Sequence, residues 1–157
     1  IMATYFINEV YELSEEFVDE LHNELALEFS KHNPYCDLKN ALSTLYTDVF
    51  TYFLLTIDNE PVSLIIGIAE GDQFTIGEIL STTYNGSRDY LYESTYFDTL
   101  NNALIERGFT SKKLTTSKTA RDDNWIRRSC TEHPIADSYV PTIEETETHT
   151  VWTWSFS

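Results

Sequence analysis

Residues 81–109 read STTYNGSRDYLYESTYFDTLNNALIERGF, and the reading of the whole chain turns on them. The stretch leaves an apolar strand, turns through YNGSRDYLYE (84–93), and enters an amphipathic helix over 95–107. Tyr96, Phe97, Leu100, Ala103 and Leu104 recur on one face of that helix. Arg107-Gly108 ends it, with glycine suited to the left-handed residue that follows a helix. A strand that feeds a helix through a short turn is a natural phosphate site, because the first N–H groups of a helix lack partners and carry the positive end of its dipole. The question is whether this turn is built to hold a phosphate.

Outward from that stretch the period of the sequence assigns the other elements. TYFINEVY (4–11) reads as a first strand. Ser14 caps a helix whose first turn carries Glu15 and Glu16, and Phe17, Val18, Leu21, Leu25 and Phe29 recur at helical spacing until Asn33-Pro34 stops it. A shorter helix is expected around Leu38, Ala41, Leu42 and Leu45. DVFTYFLLTI (48–57), VSLIIGIAE (62–70) and QFTIGEILSTT (73–83), joined by DNEP and GD turns, form an antiparallel meander. After the 95–107 helix come a strand in KKLTTSK (112–118), a short helix in RDDNWIRRS (121–129) and a closing hairpin of SYVPTI (138–143) and HTVWTWSFS (149–157). Trp152, Trp154 and Phe156 alternate there with Thr153 and Ser155, the period of a core strand. The helical crossover is long enough to make the third meander strand and KKLTTSK parallel. The expected fold is a single α/β (α+β) domain over residues 1–157, with a mixed, mostly antiparallel sheet in the order β-α-α-β-β-β-α-β-α-β-β.

Composition narrows the function classes. The 157 residues carry a net charge of −16, which disfavours direct binding to nucleic acid or an anionic membrane and favours a cationic partner. Eight of the ten Lys and Arg lie between Arg88 and Arg128, against six acids, so that segment nets +2 and the remainder −18. Two surfaces of opposite character are expected. No apolar run reaches the roughly 18 residues of a membrane span, and the acidic start lacks the basic flank of a signal peptide. A cytoplasmic protein is the default expectation. Cys36 and Cys130 are read as free thiols, and His22, His32, His133 and His149 lack metal-ligand spacing, so no metal is expected.

The order of elements, together with the local signature ALIERGFTSKKL (103–114), resembles the GNAT family of acyl-CoA N-acyltransferases. The resemblance implies a transferase that moves an acetyl or other acyl group from acyl-CoA to an amine. Glu78, in FTIGEILSTT, matches a strand glutamate that serves some members as general base. An ammonium must lose a proton before its nitrogen can attack a thioester, so the chemistry calls for such a group. Its alternative role is a solvent-facing or lysine-paired glutamate. The resemblance also implies that backbone near Leu80, Ser81 and Thr82 polarises the thioester carbonyl, and that a pyrophosphate loop lies at Arg88, Asp89, Tyr90 and Leu91. Asn124 falls at the start of the following helix, where the family often places an asparagine. In the loop, Tyr90, Leu91 and Tyr92 stand where the family has glycines. The first tyrosine after Asn124 is Tyr139, in the next strand, so the family's general acid has no clear counterpart.

Two further readings accompany the enzyme. The charge also suits a catalytically inactive, acidic binding protein of this shape: a viral accessory or virion-associated protein, or a polyanion mimic on a basic partner. In that case the host cytoplasm or the virion is the expected location. The aromatic C-terminal hairpin would, if exposed, serve as a homodimer interface. For the enzyme, the expected acceptor is a cationic amine, either a small molecule or a basic protein tail.

Overall fold

The computed structural model describes residues 3–28, 42, 45, 49–132 and 134–157. Seven strands form one sheet: β1 (Tyr5–Glu9), β2 (Thr51–Ile57), β3 (Glu60–Glu70), β4 (Gln73–Ser81), β5 (Ser111–Ser117), β6 (Thr142–Glu145) and β7 (His149–Ser155). Their spatial order is β1-β2-β3-β4-β5-β7-β6. Every pairing is antiparallel except β4 with β5, as the helical crossover requires. Three α-helices accompany the sheet among the described residues: α1 (Glu15–Glu28), α2 (Ser94–Glu106) and α3 (Arg121–Ser129). Of the second helix expected around Leu38, Ala41, Leu42 and Leu45, only Leu42 and Leu45 are among the described residues, and both pack into the α1-side core. None of the described helices is long and apolar enough to cross a membrane.

The local signals act as their chemistry dictates. The Ser14 hydroxyl accepts the N–H of Phe17 at 3.3 Å, satisfying one of the orphan donors of α1. At the end of α2, Gly108 adopts φ +100°. Its N–H reaches the Ile105 carbonyl and that of Phe109 reaches Leu104, so two orphan carbonyls are closed by a turn that glycine makes without strain.

The helices divide between the two faces of the sheet. Phe17, Val18 and Leu21 of α1 pack with Tyr52, Leu64 and Leu80. On the other face, Tyr96, Phe97, Leu100 and Leu104 of α2 and Ile126 of α3 pack with Phe53, Leu55, Ile65, Phe74, Ile76 and Leu114. Trp152 and Trp154 are buried in this second core, so the hairpin presents no exposed indole face for a dimer.

One irregularity places the site. β3 pairs Ile66 with Glu78 but Gly67 with Ile76, leaving Gly77 as an extra residue in β4. Before this bulge, Phe74 and Ile76 face α2. After it, Ile79 takes that face, while Glu78 and Leu80 share the α1 face with Ile66 and Leu64. The parallel pairing of β4 with β5 stops at Ile76 and Leu114, the residue before the bulge. β4 runs on to Ser81 and β5 to Ser117, now diverging.

Candidate active site

The diverging strands form a fork. It encloses a cleft of about 200 Å³ walled by Gly77, Glu78 and Ile79 of β4, by Leu114–Ser117 of β5, and by Ala120 and Trp125 at and within the start of α3. Strand edges that lose their neighbour leave inward N–H and C=O groups open to a ligand. The fork therefore offers a polar backbone track with an ionisable side chain, Glu78, at its rim. Glu78 is exposed. Ile76 and Ile79 face the opposite side of the sheet, and Leu80 shares the side of Glu78.

The other expected site residues distribute unevenly. Leu80, Ser81 and Thr82 lie beyond the cleft, and their groups are engaged elsewhere. The Thr82 N–H and hydroxyl both reach the Val62 carbonyl, and the Ser63 hydroxyl donates to the Leu80 carbonyl and meets the Ser81 hydroxyl at 3.0 Å. The β4 wall of the cleft is thus shifted toward the bulge. Asn124 is exposed on α3 and does not line the cleft, whereas Ala120 and Trp125 do. The residues missed by sequence reasoning are Gly77, Thr115, Ser117, Ala120 and Trp125, and the glycine at 77 beside a glutamate was the one available sign of a bulge.

The turn before α2 answers the question raised by its sequence. Tyr84 and Ser87 close a tight turn around Asn85 and Gly86, both at positive φ, and a 3-10 helix follows over Asp89–Tyr92. Tyr90 is buried beneath it. Its hydroxyl sits 2.6 Å from the Thr82 carbonyl oxygen and 3.0 Å from that of Val62, and burial pushes its phenol pKa up to about 12. Arg88 forms an ion pair with Glu24 of α1 at 2.6 Å. The N–H of Asp89 donates to the Ser87 hydroxyl. Acidic Asp89 and Glu93 flank the start of α2, with Glu93 as its cap residue.

This turn is also fastened to α3. The Trp125 indole N–H donates to the Leu91 carbonyl at 2.8 Å, and the ring stacks on Phe97 with centroids 5.3 Å apart and meets Tyr96 edge-on at 5.6 Å. One turn on, the Arg128 guanidinium lies 5.5 Å from the Tyr92 ring centre.

The basic segment is largely consumed within the chain. Arg107 pairs with Glu9, Lys112 with Asp137, Lys118 with Glu145, Arg127 with Asp123 and Glu145, and Arg128 with Glu132. Most of these pairs are partly solvated and contribute little each.

Compared by sequence, the chain matches no family model and no curated protein. Compared by structure, it is similar to aminoglycoside 6'-acetyltransferase type Ii, with a TM-score of 0.65 over 97% of both chains at 12% identity. It is also similar to the PaiA N-acetyltransferase of Thermoplasma acidophilum, solved in complex with coenzyme A (TM-score 0.62, 97% of this chain and 99% of that one, 8% identity). A third is the N-acetyltransferase PseH of Campylobacter jejuni, in complex with acetyl coenzyme A (0.59, 98% and 100%, 13%). The chain has the GNAT fold. At these identities the GNAT likeness concerns the fold, and function has to come from the site.

Proposed function

We propose that this GNAT-fold protein is an N-acyltransferase that moves an acyl group from acyl-CoA to a cationic amine. One observation carries the reading: the Gly77 bulge and the ending of the β4–β5 pairing coincide, so that Glu78 is presented at the rim of a backbone-walled fork. Structural neighbours solved with coenzyme A or acetyl coenzyme A lend support.

The residues fit such a donor in part. The fork suits a thioester arm, which is polar, narrow and recognised by strand backbone. The turn at 88–93 does not suit a pyrophosphate as it stands, since Asp89 and Glu93 flank it and Arg88 is held by Glu24. The donor would supply an activated acyl carbon. The chain's part is to hold and deprotonate the acceptor. Glu78 takes a proton from the ammonium, on the α1 face, and the fork-facing N–H groups after the bulge are placed to polarise a carbonyl oxygen. The Ser117 and Thr115 side chains, on the opposite wall, supply hydroxyls that could protonate the leaving thiolate. The strongly acidic remainder of the chain draws a cationic acceptor toward the site.

The test is thiol release from acetyl-CoA with polyamines, aminoglycosides and a lysine-rich peptide as acceptors, alongside Glu78→Gln. The variant should lose about 10²–10⁴-fold in kcat/KM with an unchanged melting temperature. Equal activity of Glu78→Gln and the parent would remove Glu78 from the mechanism, and no turnover with any acceptor would remove the enzyme. The internal pairing of the basic segment favours a second reading, an acidic binding protein, and recovery of basic proteins by a chain that transfers no acyl group would support it.

A further inference from the structure

The fork and the turn before α2 are joined through one residue, Trp125. A donor seated in the fork and reaching toward the start of α2 runs from Gly77–Ile79 and Leu114–Ser117 to residues 88–93. Trp125 is both the wall of the cleft at that end and the donor of a hydrogen bond to Leu91, within the turn. Arg128, three residues on, lies on Tyr92 of the same turn. Two contacts from one face of α3 therefore fasten the turn beside the fork.

Resting on the acyltransferase reading, we propose that the Trp125–Leu91 and Arg128–Tyr92 contacts form a clasp that closes the donor's path and opens when the donor enters. The clasp is built to part. It consists of one hydrogen bond and one exposed cation–ring contact, with net strengths at the low end for their kinds. Tyr92 is 41% exposed, and the Arg128 head retains its pairing with Glu132 when the ring leaves. Beneath the turn, Tyr90 is anchored to the ends of β3 and β4, so the turn stays in place while α3 releases it. Parting also frees the Leu91 carbonyl, which can then accept from an amide of a pantetheine-like arm. Donor affinity is lowered by the fraction of time that the clasp is shut, and a variant that loosens it removes that penalty.

The experiment titrates acetyl-CoA into the whole chain by calorimetry and by tryptophan emission. Trp125→Phe keeps the ring stacked on Phe97 but removes the N–H. Tyr92→Leu removes the second contact at an exposed position without changing the charge. Each should tighten binding, by about three- to tenfold for Trp125→Phe, the range of one net hydrogen bond. In the parent, binding should shift the tryptophan emission as the Trp125 N–H loses its Leu91 partner, and Trp125→Phe should abolish that shift. Binding by the variants where the parent shows none supports the clasp equally. Equal affinity in parent and both variants overturns the clasp and leaves the acyltransferase reading standing. Weaker binding by Trp125→Phe also overturns it, since the indole would then be part of the seat. If parent and folded variants all fail to bind acetyl-CoA, both the clasp and the donor assignment fall.

Discussion

Lys112→Met is the sharpest test of how the core is held. Lys112 lies on β5 with its side chain 1% exposed. Its ammonium bonds Asp137 at 2.5 Å and the Asn101 side-chain oxygen at 2.6 Å, between the rings of Phe97 and Trp154. Burial pulls its pKa below the ordinary lysine value, against the pull of Asp137. Methionine fills similar volume but leaves a fully buried Asp137 with only the Asn101 amide and the Tyr139 N–H as donors. An uncompensated buried charge of this kind costs about 3–5 kcal/mol. In a chain of this size that lowers the melting temperature by about 2–4 °C per kcal/mol, or roughly 6–20 °C in all. Urea unfolding of Lys112→Met, Asp137→Asn and the double variant supplies the cycle. The double variant should recover at least half of the loss, because it removes the stranded charge along with its partner. A loss below about 1 kcal/mol for Lys112→Met, or a double variant no better than the single ones, would refute the claim that the pair is coupled and desolvated.

Two other outcomes follow from the geometry. A Cβ at Gly67 would lie 2.5 Å from the Phe74 ring and 2.6 Å from the Thr75 carbonyl oxygen, whereas one at Gly77 would meet only the Ile66 carbonyl at 3.5 Å. Gly67→Ala should therefore destabilise by about 1–3 kcal/mol and Gly77→Ala by much less, measured by denaturant midpoint. For Tyr90, the folded pKa of about 12 exceeds the ordinary value of 10.0. The folded chain keeps a proton that the unfolded chain gives up, so this contribution is intact below pH 10 and is lost as the pH rises toward 12. The parent should lose up to about 3 kcal/mol more than Tyr90→Phe across that window, read as the difference in unfolding free energy.

The elements were legible where one physical signal acted alone. Period gave the strands and the helix stripes, Ser14 and Gly108 marked two helix ends, and Trp152 and Trp154 followed the alternation of a core strand into the core. The pairing of the basic segment was not legible. Glu24 and Arg88, or Glu9 and Arg107, are brought together only by the fold, and sequence shows an excess of positive charge without showing that it is spoken for. Asn101 is the same lesson inside a helix. It interrupts the apolar face of α2, and its burial is explained only by Lys112 and Asp137, which arrive from other elements.

Glu78 shows why the candidate site itself was half hidden. Strict alternation from Phe74 and Ile76 would carry Glu78 and Leu80 onto the α2 face, where a carboxylate would be buried among aromatic rings. Gly77 breaks that alternation by one residue, and the one-residue step sends every later side chain of β4 to the opposite face. Leu80 then fills the α1-side core, which fixes the new register, and Glu78 comes to the rim beside it. Sequence supplied the glutamate and the glycine but not their consequence, because a bulge is a property of the pairing with β3 rather than of β4 alone. The same step ends the partnership with β5 and opens the fork. Deleting Gly77 should therefore make the pairing with β3 continuous and close the cleft while Glu78 stays opposite Ile66 on the α1 face, and no substitution of Glu78 alone would close it.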